Sequence, residues 1–152
     1  FSTFCIQGIS NISAQQQKRM ALLELKENLR LAVGQMTDDA VKSTAVLHCK
    51  EKEMALQQTN GIYYTMGKDL QSEEHFYPLT GKILYRRESN QWNRQPVANF
   101  LTDLSIIYYD IDGNETKEPE NVVSLKITAI GCWEEQFWKE TRVASLAGEH
   151  YI

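Results

Sequence analysis

The sequence predicts an α+β fold, one long N-terminal α-helix packed on an antiparallel β-sheet, and three observations carry that prediction. From Ser10 to Ala45 there is no proline, and a single apolar stripe recurs at helical spacing. After Ala45 the chain breaks into short β-branched or aromatic runs bounded by Gly, Asn, Asp or Pro. The links between these runs are short to moderate and carry no second helical pattern, which favours antiparallel pairing. The 152 residues suit one domain, residues 1–45 the helix and 46–152 a β-rich head. A domain of this size buries roughly 70% of the surface its unfolded chain exposes and needs no covalent staple.

The helical stripe is Leu22, Leu25, Leu29, Ala32, Met36 and Ala40, spaced by threes and fours, and the only interruption in the segment is Gly34. Leu22, Leu25, Leu29 and Met36 are therefore the expected helix–sheet contacts. Before Leu22 the stripe gives way to "SAQQQKRMA" (Ser13 to Ala21), polar nearly all round. At ~1.5 Å per residue the whole segment is ~50 Å long, more than the head it serves. Its near half is expected to project and to meet lipid or another protein. The opening "FSTFCIQGI" is too short an apolar run to cross a membrane, which takes ~20 residues. It also lacks the basic head and cleavage site of a signal peptide. It reads as the tail of a longer apolar stretch that continues upstream.

Strands are expected at Gly61–Met66, Gly81–Arg87, Leu104–Asp110, Val122–Ile130 and Thr141–Leu146. Val123, Leu125, Ile127 and Ala129 alternate with Ser124, Lys126 and Thr128, so one face is buried and one wetted. Between the third and fourth runs lies "DIDGNET", which has the look of a calcium loop. Counted from Asp110, though, Gly113 falls two places early, the terminal glutamate position is Asn121, and the flanks are strand-like. Asp112-Gly113 is instead a hairpin signal, because glycine accepts the positive φ such turns demand. "TKEPEN" (Thr116 to Asn121) widens the connection.

Charge and composition exclude several functions. A net charge of −4 argues against a broad phosphate-binding face, and the basic spots at Lys18-Arg19 and Arg86-Arg87 are short. No nucleic-acid partner is expected. The isolated Gly113, Gly131 and Gly148 make no phosphate cradle. His48 and Cys49 are adjacent, so on a strand they point apart. His75 lies in a polar loop and His150 in the tail, and Cys49, Cys132, His48 and His150 lack paired zinc spacing. The acid pairs Glu73-Glu74 and Glu134-Glu135 read as solvated surface. No catalytic, metal or cofactor residues, and no small-molecule substrate, are expected: the chain reads as non-enzymatic.

Three cysteines exclude full pairing. One bridge with a spare thiol is open, Cys49 with Cys132 being the favoured pair because Cys5 sits on a segment of different character. Three free thiols are the alternative. Trp133, Phe137 and Trp138 fall within six residues, and "NQWN" adds Trp92. Packing under the helix or at the sheet edge is the favoured reading for the cluster, with contact to a partner subunit the leading functional one.

"KENLRLAVGQMTDDAVKSTAV" (Lys26 to Val46) followed by "PVANFLTDLSIIYYDIDG" (Pro96 to Gly113) resembles minor pilins of type IV pili and J-type pseudopilins of type II secretion systems, the PilW and GspJ kind. Asn28, Leu29, Arg30 and Ala32 stand for the helical segment of that family, with Met36 and Asp39 following in step. Leu101, Leu104, Tyr108, Tyr109, Asp110 and Gly113 stand for its hairpin, Val123, Leu125 and Ile127 for the next strand, and Thr141 with Val143 for the last. Residues 47 to 95 carry no such likeness. The family's Phe-Thr-Leu-x-Glu start is absent, Thr3 and Cys5 standing where Leu and Glu belong. The resemblance implies a pilin-like fold and a subunit held in the inner membrane by an upstream apolar helix, its head in the periplasm. It further implies assembly with other minor subunits into a filament, in a tip or assembly-initiating complex. A tip-displayed adhesin or DNA-uptake module on the same scaffold is the rival, and it requires an exposed aromatic or charged pocket between Leu47 and Gln95.

Overall fold

A computed structural model of the chain describes residues 3–67 and 82–147, with side chains in the helix from residue 14 onward. The Cys5 side chain, Glu73, Glu74, His75, Gly81, Gly148 and His150 lie outside the described residues. The architecture is α+β, one helix on an antiparallel sheet. Helix α1 spans Thr3–Lys42. The strands are β1 (Ala45–Val46), β2 (Met54–Gln57), β3 (Gly61–Gly67), β4 (Lys82–Glu88), β5 (Gln95–Tyr109), β6 (Ser124–Trp133) and β7 (Gln136–Ser145). Each pairs antiparallel with the next, so the sheet is a meander in chain order. A 3-10 turn, Pro119–Asn121, precedes β6.

α1 lies chiefly across β5, β6 and β7. Its buried row is Ala21, Leu25, Leu29, Ala32, Val33, Met36 and Ala40. Burying Leu25, Leu29 and Met36 contributes roughly 2 kcal/mol each. Leu22 is only half-buried, because Ala21 lies nearer the centre of the row and occupies the contact expected of it. Opposite, Leu104, Ile106 and Tyr108 of β5 pair with Ala129, Ile127 and Leu125 of β6 and are buried with them. Gly131 lets the two layers close. A Cβ there would stand 2.7 Å from the Phe100 carbonyl oxygen and 3.0 Å from Leu25 Cδ1.

The N-terminal portion of β5 was not expected from the sequence, since Pro96 and Asn99 are poor strand residues. It forms because register shifts against β4 and β6 let the strand bend around the helix. Phe100, at φ 66, sits at this bend. β1 and β2 were not expected either: "MALQ" has no β-branched residue, and pairing with β3 makes it a strand. In β7 the buried residue is Ala144, whereas Val143, which stood for a core position, faces solvent.

The reversal after β5 is a turn at Asp112-Gly113, as expected, and it joins the antiparallel pair β5 and β6. Gly113 N donates to the Asp110 carbonyl at 3.0 Å, and the positive φ falls on Gly113 alone. Asp110 Oδ1 accepts the Asp112 and Asn114 amides, each at 3.0 Å, so its carboxylate serves the turn. A two-residue loop with both φ positive, Glu134-Glu135, closes β6 onto β7.

Candidate interaction surface

The outward side of α1 carries a second apolar row. Met20, Leu23, Leu31 and Val41 are all well exposed, Met20 the most so at 66%. At about 100° per residue they fall within an arc of roughly 80°, nearly opposite the row on the sheet. Ala14 to Met20 are exposed on every side, so the helix runs on past Ala21, where burial by the head begins. Among the described residues no helix is long and apolar enough to cross a membrane.

Beside that stretch stands the tip of the β6–β7 hairpin. Trp133 stacks on Phe100 with ring centroids 4.5 Å apart. Trp138 lies beneath α1: Lys26 Nζ is 4.3 Å from its ring centroid, and its Nε1 donates to Glu140 Oε1 at 2.7 Å. The same oxygen receives Arg30 Nε at 3.3 Å. Phe137 points the other way and is 71% exposed. The aromatic cluster is therefore split by strand alternation: Trp133 and Trp138 pack, and Phe137 alone is placed for a partner. Hairpin tip and helix enclose an open groove of about 700 Å³, lined among others by Lys18, Met20, Glu24, Trp133 and Glu134.

Of the two readings left open for the cysteines, the Cys49–Cys132 bridge is not formed. Cys49 and Cys132 are free thiols. Cys49 lies by the 3-10 turn, where burial pushes its thiol up and Lys117 and Glu120 act on it more weakly. Cys132 is near the far end of β6, eight residues beyond Ser124 and so roughly 27 Å along the strand. A bridge needs Cα atoms within about 7 Å. His48 does not face Cys49 as a base. Its Nδ1 accepts the Lys50 amide at 3.3 Å, and burial lowers its pKa.

The end of α1 is fastened by a polar network that the sequence does not announce. Asp39 is buried, and its carboxylate receives Arg86 Nε at 2.8 Å and Nη2 at 3.3 Å, together with the Tyr64 hydroxyl. Its carbonyl, which the helix end leaves without an internal donor, accepts Ser43 Oγ at 2.6 Å and Gln58 Nε2 at 2.9 Å. Arg86 also meets Glu88 Oε1 at 3.1 Å. Burial, then the bond to Asp39, raises Tyr64 above the ordinary tyrosine value, and the bond to Asp39 raises Arg86. With every polar end satisfied in place, the network ties α1 to β3 and β4 rather than presenting reactive groups.

On the opposite sheet face the neighbours of these residues form a cleft. Strand alternation sends Tyr64 and Arg86 to the helix, and Tyr63 and Arg87, which are paired in register, outward. The Arg87 guanidinium lies 5.0 Å from the Tyr63 ring centroid and that of Arg94 lies 3.8 Å from the Tyr85 ring centroid. Trp92 is 98% exposed at its edge. The cleft holds about 440 Å³ and, among the described residues, is lined by Tyr63, Thr65, Tyr85, Arg87, Trp92, Asn93 and Arg94. The signal available in the sequence was the pair Arg86-Arg87 between aromatic residues. What made it a site is the β3–β4 register. No family model matches the chain, and no curated protein matches its sequence.

Proposed function

We propose that the chain is a non-enzymatic filament subunit of pilin type, a minor pilin of a type IV pilus, with a J-type pseudopilin of a type II secretion system as the variant of the same role. The observation that carries this reading is α1. It is one continuous helix with two apolar faces, one spent on the sheet and the other turned outward. A globular protein that works alone gains nothing from the outward row of Met20, Leu23, Leu31 and Val41. A subunit stacked among other rods buries such a row against its neighbours, as ridges on one helix fit grooves on the next. Anchored in the inner membrane by an apolar helix upstream, the head faces the periplasm until assembly draws the rod into the filament. Phe137, on the outer sheet face, is placed to meet a flanking head.

The native N-terminus tests this reading. Sequencing the gene upstream of Phe1 and the mature protein from membranes is expected to find a short basic leader ending in Gly. An apolar helix with Glu near its start should follow and run into Phe1. A conventional cleavable secretion signal immediately before Phe1 would overturn the proposal.

A further inference from the structure

The turn between β5 and β6 does more than reverse the chain, and we propose that Asn114 is the acceptor of an N-linked glycan. Asn114-Glu115-Thr116 is an Asn-x-Thr triplet without proline, the pattern that oligosaccharide transfer to asparagine requires. The donor is an oligosaccharide carried on a lipid diphosphate and met outside the cytoplasm. The site therefore rests on the periplasmic placement of the head proposed above.

Geometry separates this triplet from Asn11-Ile12-Ser13, which has the same pattern. That one lies within α1, whose backbone is committed to helical hydrogen bonds and offers no extended acceptor. At the turn, Glu115 pairs antiparallel with Tyr109, so the chain is extended there. Asn114 and Thr116 then stand on one side of it, where a transferase can engage amide and hydroxyl together. Asn114 is exposed, and among the described residues its side chain makes no hydrogen bond. Only its backbone holds the turn: its amide donates to Asp110 Oδ1 at 3.0 Å, and its carbonyl accepts the Asp110 amide at 2.9 Å. Thr116 Oγ1 accepts the Glu118 amide at 3.1 Å, which leaves its own hydrogen to donate. Asp112, two residues before Asn114, is exposed and gives a basic side chain of the transferase a carboxylate to hold.

Position on the head also suits a bulky group. Tyr109 pairs with Ser124 at the start of β6, and Trp133 stands at its other end, about 30 Å away. A glycan at the turn leaves the groove beside Trp133 open to a neighbouring subunit. In the transfer, Asn114 Nδ2 forms a C–N bond to the anomeric carbon as the C–O bond to phosphate breaks. The lipid diphosphate leaves with that electron pair, and the amide gives one proton to a carboxylate of the transferase.

Fragment mass spectrometry of the protein purified from its own membranes tests the proposal, with the mature N-terminus read from the same digest. A mass increment of sugar residues is expected on Asn114 and none on Asn11. Asn114→Gln and Thr116→Val should each lose the increment, while Thr116→Ser and Asn11→Gln should keep it. Because the Asn114 side chain is exposed, its variant keeps the fold even if Thr116→Val does not. An unmodified Asn114, an increment on Thr116 or Asn11 in its place, or retention of the increment in Thr116→Val would overturn the site. The filament reading is judged separately by the N-terminus: an ordinary secretion signal cleaved before Phe1 would refute that reading and leave a glycan on Asn114 standing.

Discussion

Asp39, one turn before the end of α1, and Arg86, from the middle of β4, form a two-pronged ion pair, Nε to Oδ2 at 2.8 Å and Nη2 to Oδ1 at 3.3 Å. The two are 47 positions apart, and both are largely shielded from water. Removing one partner strands the other. Asp39→Ala is expected to cost about 3 kcal/mol in denaturant unfolding, since a shielded guanidinium then keeps Glu88 as its remaining carboxylate. Asp39→Leu combined with Arg86→Met should recover much of that loss, because an apolar pair leaves no orphan charge. A single-variant cost below about 1 kcal/mol would show that the pair is a surface contact.

Tyr64 and Tyr108 give the protein an alkaline limit. Burial is the first cause of the upward shift in both, from the ordinary 10.0. The Tyr108 hydroxyl donates to the Lys50 carbonyl at 2.7 Å, and that of Tyr64 to Asp39. The fold favours the neutral phenols. Their contribution is therefore complete below pH 10, the unfolded value, and is lost as pH rises above it toward the folded values. Unfolding free energy should fall with increasing slope above pH 10. Tyr64→Phe should cost about 1 kcal/mol at neutral pH, through the lost hydrogen bond, and flatten that alkaline slope. An unchanged slope would mean that Tyr64 titrates freely.

Gly131→Ala should destabilise by about 2 kcal/mol, although alanine is the smallest addition possible. The new methyl would meet the Phe100 carbonyl, a backbone atom that cannot swing aside, and press on Leu25 and Leu29. Gly67→Ala is the contrast. Its closest obstacle is Arg94 Nη1 at 2.9 Å, the movable end of a side chain, so stability should change by less than about 0.5 kcal/mol. Equal melting temperatures for the two variants would contradict this packing.

At the β6–β7 turn the backbone asks for residues that the sequence does not supply. Glu134 and Glu135 have φ of 49 and 65. Replacing them with Asn-Gly should raise stability by about 1 kcal/mol, because those residues take positive φ at lower cost. A fall in the unfolding midpoint would show that the two glutamates make contacts worth more than the backbone relief.

Under the filament role proposed above, the outward row of α1 should separate stability from assembly. Leu23→Glu with Leu31→Glu should leave the unfolding free energy within about 0.5 kcal/mol, since both side chains are exposed. In cells, the same double variant should be lost from sheared filaments, as followed by immunoblot. Normal incorporation would remove the row from the interface.

Much of the fold was readable in the sequence because it is periodic. Leu25, Leu29, Ala32, Met36 and Ala40 repeat at helical steps, and Leu125, Ile127 and Ala129 alternate, so each element declares its buried side by itself. What lacked local signal was β2, whose four residues are strand only through pairing with β3, and the first half of β5, which bends through Phe100. The Cys49–Cys132 pairing failed for a related reason: distance along the sheet is not visible in spacing along the chain.

The sequence by itself determined the helix, the core strands and the acidic balance, since each follows from residue type and period within a short window. Tertiary structure alone decided that Asp39 meets Tyr64 and Arg86, that Trp138 lies under Lys26, and that Tyr63, Arg87 and Trp92 share one cleft. Those relationships depend on which strand lies beside which and in what register, and a one-residue slip would send each side chain to the opposite face.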